Sequence, residues 1–257
     1  MTIKVATYNI EFGKRLEQIS DNIKALADSG VSLFCLQEVC QIENTPPLVK
    51  TILDKLGNGW QIEIFDRPNT HDLGDALLWD SRVLQIRSDI NNVERTFLPK
   101  LEKLNLLESF WEKKIIKIID GPLQKGSITA TFSIKGRPEP IRVTSMHLDW
   151  HGRFSQREKQ LAHLASRLNQ IMPRTDYEII AGDFNVTGPF WLSRKQERKL
   201  LALLGPGFTN AHPRLKPTQV YLQRLDYIFS RGGEITGAEV VKLNGSDHYP
   251  VVAEWKL

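Results

Sequence analysis

Apolar positions along the chain fall into alternating strand-like and helix-like stretches. Ile3 to Ile10 reads as a strand. Leu16, Ile19, Ile23 and Leu26 then recur at helical spacing, and Gly30 stands where a helix C-terminus favours glycine. Val31 to Leu36 is a nearly continuous apolar run, the mark of a strand buried on both faces. Leu48, Val49, Ile52, Leu53 and Leu56 form a second helical stripe closed by Gly57. Trp60 to Phe65 and Ala76 to Trp79 read as strands. Val93 to Asp120 is rich in Leu, Lys, Glu and Ile, which predicts one or two short amphipathic helices ending at Gly121-Pro122. Ser127 to Ile134 and Ile141 to His147 read as two strands around a turn at Lys135 to Pro140. Leu161, Leu164, Leu168 and Ile171 mark a long helix, Glu178 to Ala181 a strand, and Pro189 to Leu204 a helix. Leu225 to Ser230, Glu239 to Leu243 and Val251 to Trp255 are the last strands. Strands alternate with helices early and cluster in pairs later, which predicts a layered α/β fold with mixed sheets. No composition shift marks a boundary, so residues 1–257 are expected to form a single domain.

Composition narrows the class. The chain is 41% hydrophobic and 25% charged, as in ordinary globular proteins. No apolar run reaches the roughly 18 residues of a membrane span. The N-terminus lacks a charged region followed by an apolar stretch, so a cytoplasmic location is expected. Cys35 and Cys40 are the only cysteines, too few for a disulfide framework or a four-ligand zinc site. A net charge of +4 permits nucleic acid as a partner without demanding it. No protein partner is inferable, and a monomer is the default.

Polar residues repeatedly stand just past apolar strands. Asn9 and Glu11 follow the first, and Gln37-Glu38 the second. His147 ends another, and Gly182-Asp183-Phe184-Asn185 follows Ile179 to Ala181. Ser246-Asp247-His248 comes directly before the last strand. Strand ends and their loops are where scaffolded sites are built. Carboxylates, amides and imidazoles gathered there suit oxygen-ligand metal chemistry, because Mg²⁺ takes one or two carboxylates plus water and phosphate oxygens.

Thr7-Tyr8-Asn9, Leu36-Gln37-Glu38, His147-Leu148-Asp149, Gly182-Asp183-Phe184-Asn185, Leu225-Asp226-Tyr227 and Ser246-Asp247-His248 occur in this order. Together they resemble the endonuclease/exonuclease/phosphatase superfamily, also called DNase I-like, over essentially the whole chain. That resemblance implies a four-layer α/β sandwich of two packed mixed β-sheets flanked by helices. It also implies phosphoester cleavage assisted by Mg²⁺, with Mn²⁺ as a substitute. By the same resemblance Glu38 is the principal metal ligand and Asp247 a further metal or water ligand. Asn9 holds the metal or a phosphate oxygen. Glu11 fits a second ligand and a solvated surface carboxylate equally well. Asp183 is the implied general base, with the Asn185 amide on the phosphate or the nucleophile. His248 binds the phosphate and Asp226 holds its imidazole. His147 assists at the leaving oxygen or binds phosphate, with Asp75 a speculative partner.

Other residues carry weaker signals. Arg157 and Gln160 resemble a pair in bacterial relatives and suggest support for the His147 loop. Trp150 and Trp191 lie just beyond two of the motifs, where they fit either base stacking, lipid insertion or ordinary packing. Lys113, Lys114, Lys117 and the helix Arg194 to Lys199 read as solvated basic faces that could border a polyanion. His71, His151, His163 and His212 carry no motif and read as structural or surface residues. The leading expectation is a phosphodiesterase on nucleic acid, supported by the basic charge and by Leu225-Asp226-Tyr227. A sphingomyelinase-like or inositol-phosphate phosphatase-like hydrolase is the alternative, and a non-catalytic scaffold of the same fold a distant third.

Overall fold

Alternation within each central strand separates two kinds of surface. Ile3, Val5, Leu33 and Cys35 point one way and join a cluster with Ile128, Ala130, Val143, Ile179, Ala181 and Ile228 from other strands. Their neighbours Ala6, Tyr8, Phe34 and Leu36 point the other way and pack with Ile19, Ile23, Leu48 and Ile52. Such period-2 segments, apolar on both faces, bury both sides only when covered twice. The computed structural model describes residues 1–39, 47–65, 74–87, 92–99, 125–150, 153–172, 174–187, 190–211 and 216–257, and its layers meet that demand.

One sheet contains β1 (Thr2–Asn9), β2 (Val31–Val39), β3 (Trp60–Phe65), β4 (Gly74–Asp80), β12 (Glu234–Val240) and β13 (Val251–Lys256). Its order is β12-β13-β1-β2-β4-β3, with β1 and β2 parallel and the other pairs antiparallel. The other contains β5 (Leu84–Ile86), β6 (Val93–Phe97), β7 (Gly126–Ile134), β8 (Ile141–His147), β9 (Tyr177–Asp183), β10 (Phe208–Asn210) and β11 (Asp226–Arg231). Its order is β10-β11-β9-β8-β7-β5, with β6 also on β7, and only β8 and β9 are parallel. Helices α1 (Leu16–Asp28) and α2 (Leu48–Leu56) cover the first sheet. Helices α3 (Phe154–Ile171) and α4 (Phe190–Leu204) cover the second, where Leu161, Leu164, Leu168 and Leu200 meet Met146, Ile180, Tyr227 and Phe229. This is the expected four-layer sandwich. Among the described residues no helix is long and apolar enough to cross a membrane.

Three readings change. Val93–Phe97 is a strand antiparallel to β7, not part of a helix. Its β-branched Val93 and Thr96 suit a pleated edge, and pairing with β7 outweighs the helical composition downstream. From residue 100 on, that predicted helical segment, with Lys113, Lys114 and Lys117, lies outside the described residues, as do Cys40, His71, His151 and His212. The strand expected at Glu239 to Leu243 runs instead over Glu234–Val240, held to β13 by a bulged register. Strands β5 and β10 are too short for periodicity to reveal. Cys35 is buried between the sheets, and burial followed by the charge of Asp75 pushes its thiol pKa up, so it is an inert packing residue.

Candidate active site

The face between the sheets turns polar at one end. Along β1 the inward positions run Ile3, Val5, Thr7, Asn9, and along β2 they run Leu33, Cys35, Gln37. Asn9 pairs with Gln37, which pairs with Asp75 on β4. In the facing sheet His147 pairs with Asp183, which pairs with Asp226. Two polar rows therefore face each other across the end of an apolar core. A tie lies just beneath them. Gln37 Nε2 donates to Ser145 Oγ at 3.0 Å, and Ser145 Oγ donates to the Leu36 carbonyl at 3.1 Å.

Asp183 is the hub. Its Oδ2 accepts from Asn9 Nδ2 across the sheets at 3.2 Å, and its Oδ1 accepts from the Asn185 backbone N–H at 2.9 Å. His147 Nε2 and His248 Nε2 approach Oδ2 at 3.5 and 3.8 Å. Burial, then the charge of Asp226, raises the Asp183 pKa to about 7. Gly182 makes this approach possible. A Cβ there would lie 1.8 Å from the Met146 carbonyl oxygen, so only glycine lets β9 run this close to β8.

His248 is gripped from three directions. Its Nδ1 lies 2.8 Å from Asp226 Oδ2, and its backbone N–H donates to Ser246 Oγ at 3.0 Å. Ser246 Oγ donates in turn to the Asn9 carbonyl at 2.7 Å. Asn22 of α1 anchors the incoming loop through the Asn244 carbonyl at 2.6 Å. Asp226 is itself fixed, since Thr218 Oγ1 accepts from the backbone N–H of Leu225 and of Asp226 at 2.9 and 3.1 Å. Burial opposes charge on His248, but Asp226, Asp183 and Asp247 outweigh it and raise its pKa to about 10. The imidazole is thus a cation at neutral pH.

Glu38 is half-buried, with a left-handed backbone at φ 58. Burial raises its pKa, opposed by Lys125, by a hydrogen bond with Asn9 and by His248. Asn185 is also left-handed, at φ 49, and its Nδ2 donates to the Leu148 carbonyl at 2.8 Å. Each such non-glycine residue costs about 1–2 kcal/mol, a strain found most often at functional sites. Glu11 has both oxygens engaged, Oε1 by Lys14 at 2.6 Å and Oε2 by the Asp247 backbone N–H at 3.2 Å. It braces the Asp247 loop. Asp247 Oδ2 accepts from Gln219 Nε2 at 3.3 Å.

The donor set suits a hard divalent cation. Glu38 is a half-buried carboxylate whose charge burial disfavours, and Asp247 adds a further negative charge close enough to act on it. Asn9 donates through Nδ2 to Asp183 and accepts through Oδ1 from the Glu11 N–H at 3.1 Å, leaving one lone pair on that oxygen. Among the described residues a tighter group also exists, because ligand atoms of Asp183, Asp226 and His248 lie within 4.8 Å of one another. There His248 Nδ1 is engaged by Asp226 Oδ2.

Lys125 was not singled out by sequence. It is 1% exposed, and its Nζ lies 2.9 Å from His147 Nε2 and 3.2 Å from Nδ1. The signal was a lysine immediately before an apolar strand. Since β7 runs antiparallel to β8, its beginning meets the end of β8 that carries His147. Thr218 and Gln219 were missed too, because their role depends on a bridge between Gln219 and His248. Asp75 faces inward opposite Gln37, and Lys125 Nζ lies within hydrogen-bond distance of the His147 ring.

Arg157 and Gln160 support the loop after His147. Arg157 Nη1 donates to the carbonyls of Asp149 and Trp150, and Gln160 Oε1 accepts from the Asp149 N–H at 3.0 Å. Trp150 is 47% exposed. The Trp191 side chain lies outside the described residues. Arg194, Lys195, Arg198 and Lys199 are exposed on α4.

The profile of the Endonuclease/Exonuclease/phosphatase family matches residues 6–248. No curated relative matches the chain by sequence. Solved structures share the fold at low identity. An endonuclease/exonuclease/phosphatase from Bacteroides vulgatus is 13% identical with a TM-score of 0.73, over 100% of this chain and 99% of that one. The human Nocturnin catalytic domain with a bound sulfate anion is 17% identical with a TM-score of 0.67, over 99% and 94%. A mannosyl-6-phosphatase of Bacteroides thetaiotaomicron is 15% identical with a TM-score of 0.69, over 99% and 100%. With a family match over nearly its whole length and this sandwich beneath it, the chain belongs to the endonuclease/exonuclease/phosphatase family of phosphoester hydrolases.

Proposed function

We propose that the protein is a Mg²⁺-dependent phosphodiesterase acting on nucleic acid, with Mn²⁺ able to substitute. The observation that carries the chemistry is the convergence of Asp183, the His248–Asp226 pair and His147 around one carboxylate oxygen. In this reading Asp183 takes a proton from the attacking water. Its raised pKa keeps it basic enough for that task near neutral pH. Asn9 and the Asn185 N–H fix its two oxygens, so the carboxylate meets the water in one orientation. His248 donates from Nε2 to a non-bridging phosphate oxygen, and Asp226 keeps its ring protonated and aimed. His147 lies at the leaving-oxygen end. Glu38 would hold the divalent ion, with Asp247 and Asn9 near it, and the ion would supply charge neutralisation at the phosphate.

Nucleic acid is favoured as the substrate class by the +4 charge, held despite the acidic site, and by the exposed cations of α4. A substrate panel tests the reading. Plasmid, abasic duplex, single-stranded DNA and RNA, sphingomyelin, inositol phosphates and a sugar phosphate are incubated with Mg²⁺ or with chelator. The expected result is Mg²⁺-dependent cleavage of a nucleic acid, with affinity falling steeply as salt rises. Turnover confined to a lipid or a monoester would overturn the substrate class, and turnover in chelator would overturn the metal.

A further inference from the structure

Resting on the phosphodiesterase reading, we infer that Lys125 is a catalytic residue that supplies positive charge and a proton to the leaving oxygen, while His147 is held neutral beside it. The argument begins with donors and acceptors. A lysine ammonium has three donors and no acceptor. With the charge on Lys125, the ring nitrogen 2.9 Å away is its acceptor, and His147 is then not the acid. The cation at this end of the site is Lys125.

The placement is costly. An ammonium removed from water loses several kcal/mol of hydration and is tolerated only beside compensating charge. Lys125 is 1% exposed, and its charge acts on both Glu38 and Asp183. It sits where β7 enters the sheet, its carbonyl accepting from the Leu98 N–H at 2.9 Å. The backbone is therefore fixed and the side chain is aimed along the polar row at the end of β8. His248 occupies the opposite flank of Asp183 as a second cation. The base thus lies between two positive groups. His248 suits the non-bridging oxygens, and Lys125 suits the oxygen that departs.

The step balances. Water forms the new P–O bond and gives a proton to the Asp183 carboxylate. The bond from phosphorus to the leaving oxygen breaks, and that oxygen takes a proton from the Lys125 ammonium, leaving a neutral amine. The proton on Asp183 returns to Lys125 before the next turnover, and no other reactant is consumed.

Leaving-group chemistry distinguishes this role from a structural one. A 4-nitrophenyl ester departs without a proton, whereas an alkyl or nucleoside ester needs one. Wild type, Lys125→Met and Lys125→Arg are assayed on matched aryl and alkyl esters, as diesters and as monoesters. Whichever ester class is hydrolysed decides the phosphodiesterase reading, and the aryl-to-alkyl ratio within that class decides the role of Lys125. Lys125→Met is expected to lose activity on both esters and to widen that ratio by about tenfold or more, within the range of general acid catalysis. Lys125→Arg should narrow it again. An unchanged ratio in Lys125→Met would overturn the inference. A second measurement needs no variant. In wild type, kcat should depend only weakly on leaving-group pKa, and a steep dependence would sink the proposal even if Lys125→Met fails to fold.

Discussion

His147 and Asp183 stand directly opposite one another on the parallel strands β8 and β9, with Nε2 and Oδ2 3.5 Å apart. Parallel strands offer their C-terminal ends on the same side, so two groups more than thirty residues apart in sequence become neighbours without a loop to position them. The pair β1 and β2 repeats the arrangement in the facing sheet with Asn9 and Gln37. The site is the meeting of these two parallel pairs.

Replacing Asp183 by Asn removes the proposed base while keeping the side-chain shape. The expected effect is a fall in kcat of about 10²–10⁴-fold. Circular dichroism should be unchanged. Near-full activity would assign the base elsewhere.

The Asp226–His248 pair makes a pH prediction for the metal-free protein. The folded pKa of about 10 lies above the ordinary imidazole value of roughly 6.5. The pair's contribution to stability is therefore fully present below pH 6.5 and is lost as pH rises through about 10. Asp226→Asn removes the largest charge that opposes burial but leaves Asp183 and Asp247, so the His248 pKa should fall below about 10. Nitrogen NMR of the His248 ring, with unfolding free energies measured across that window, checks both statements.

Glu38 predicts a metal effect on folding. Mg²⁺ at about 100 times its dissociation constant stabilises the native state by about 2.7 kcal/mol. In a chain of this size that raises Tm by roughly 5–10 °C. Chelator should reverse the shift. In Glu38→Gln it should be small or absent, and an undiminished shift in that variant would place the ion elsewhere.

Gly182→Ala tests the close approach of β9 to β8. Its Cβ would meet a backbone oxygen at 1.8 Å, which cannot move aside as a side chain would. A loss of roughly 3 kcal/mol in urea unfolding is expected, together with reduced activity through displaced Asp183. Gly136→Ala, where nothing lies within 4 Å of a Cβ, should cost only about 1–2 kcal/mol from its positive φ.

Much of the architecture was legible in sequence because it rests on local rules. Apolar runs in β2 and β9 required cover on both faces, and helical stripes such as Ile19 and Ile23 supplied it. Polar residues at strand ends marked Asn9, Glu38, His147, Asp183 and His248. Where a long-range pairing competes with local composition, that legibility fails. Val93–Phe97 joined β7 although the residues around it read as helix.

Within each strand, the alternation of odd and even positions by itself determined which side chains share a face, since a pleated strand has a period of two. Register between strands and the spacing between sheets were decided only by tertiary structure, because no local signal says which distant strand lies opposite. That is why Asp226 could be listed with the site residues but not seen opposite Asp183, and why Glu11 could not be distinguished as a brace. It is also why Lys125, at the start of its strand, came to light only when antiparallel pairing brought it to His147.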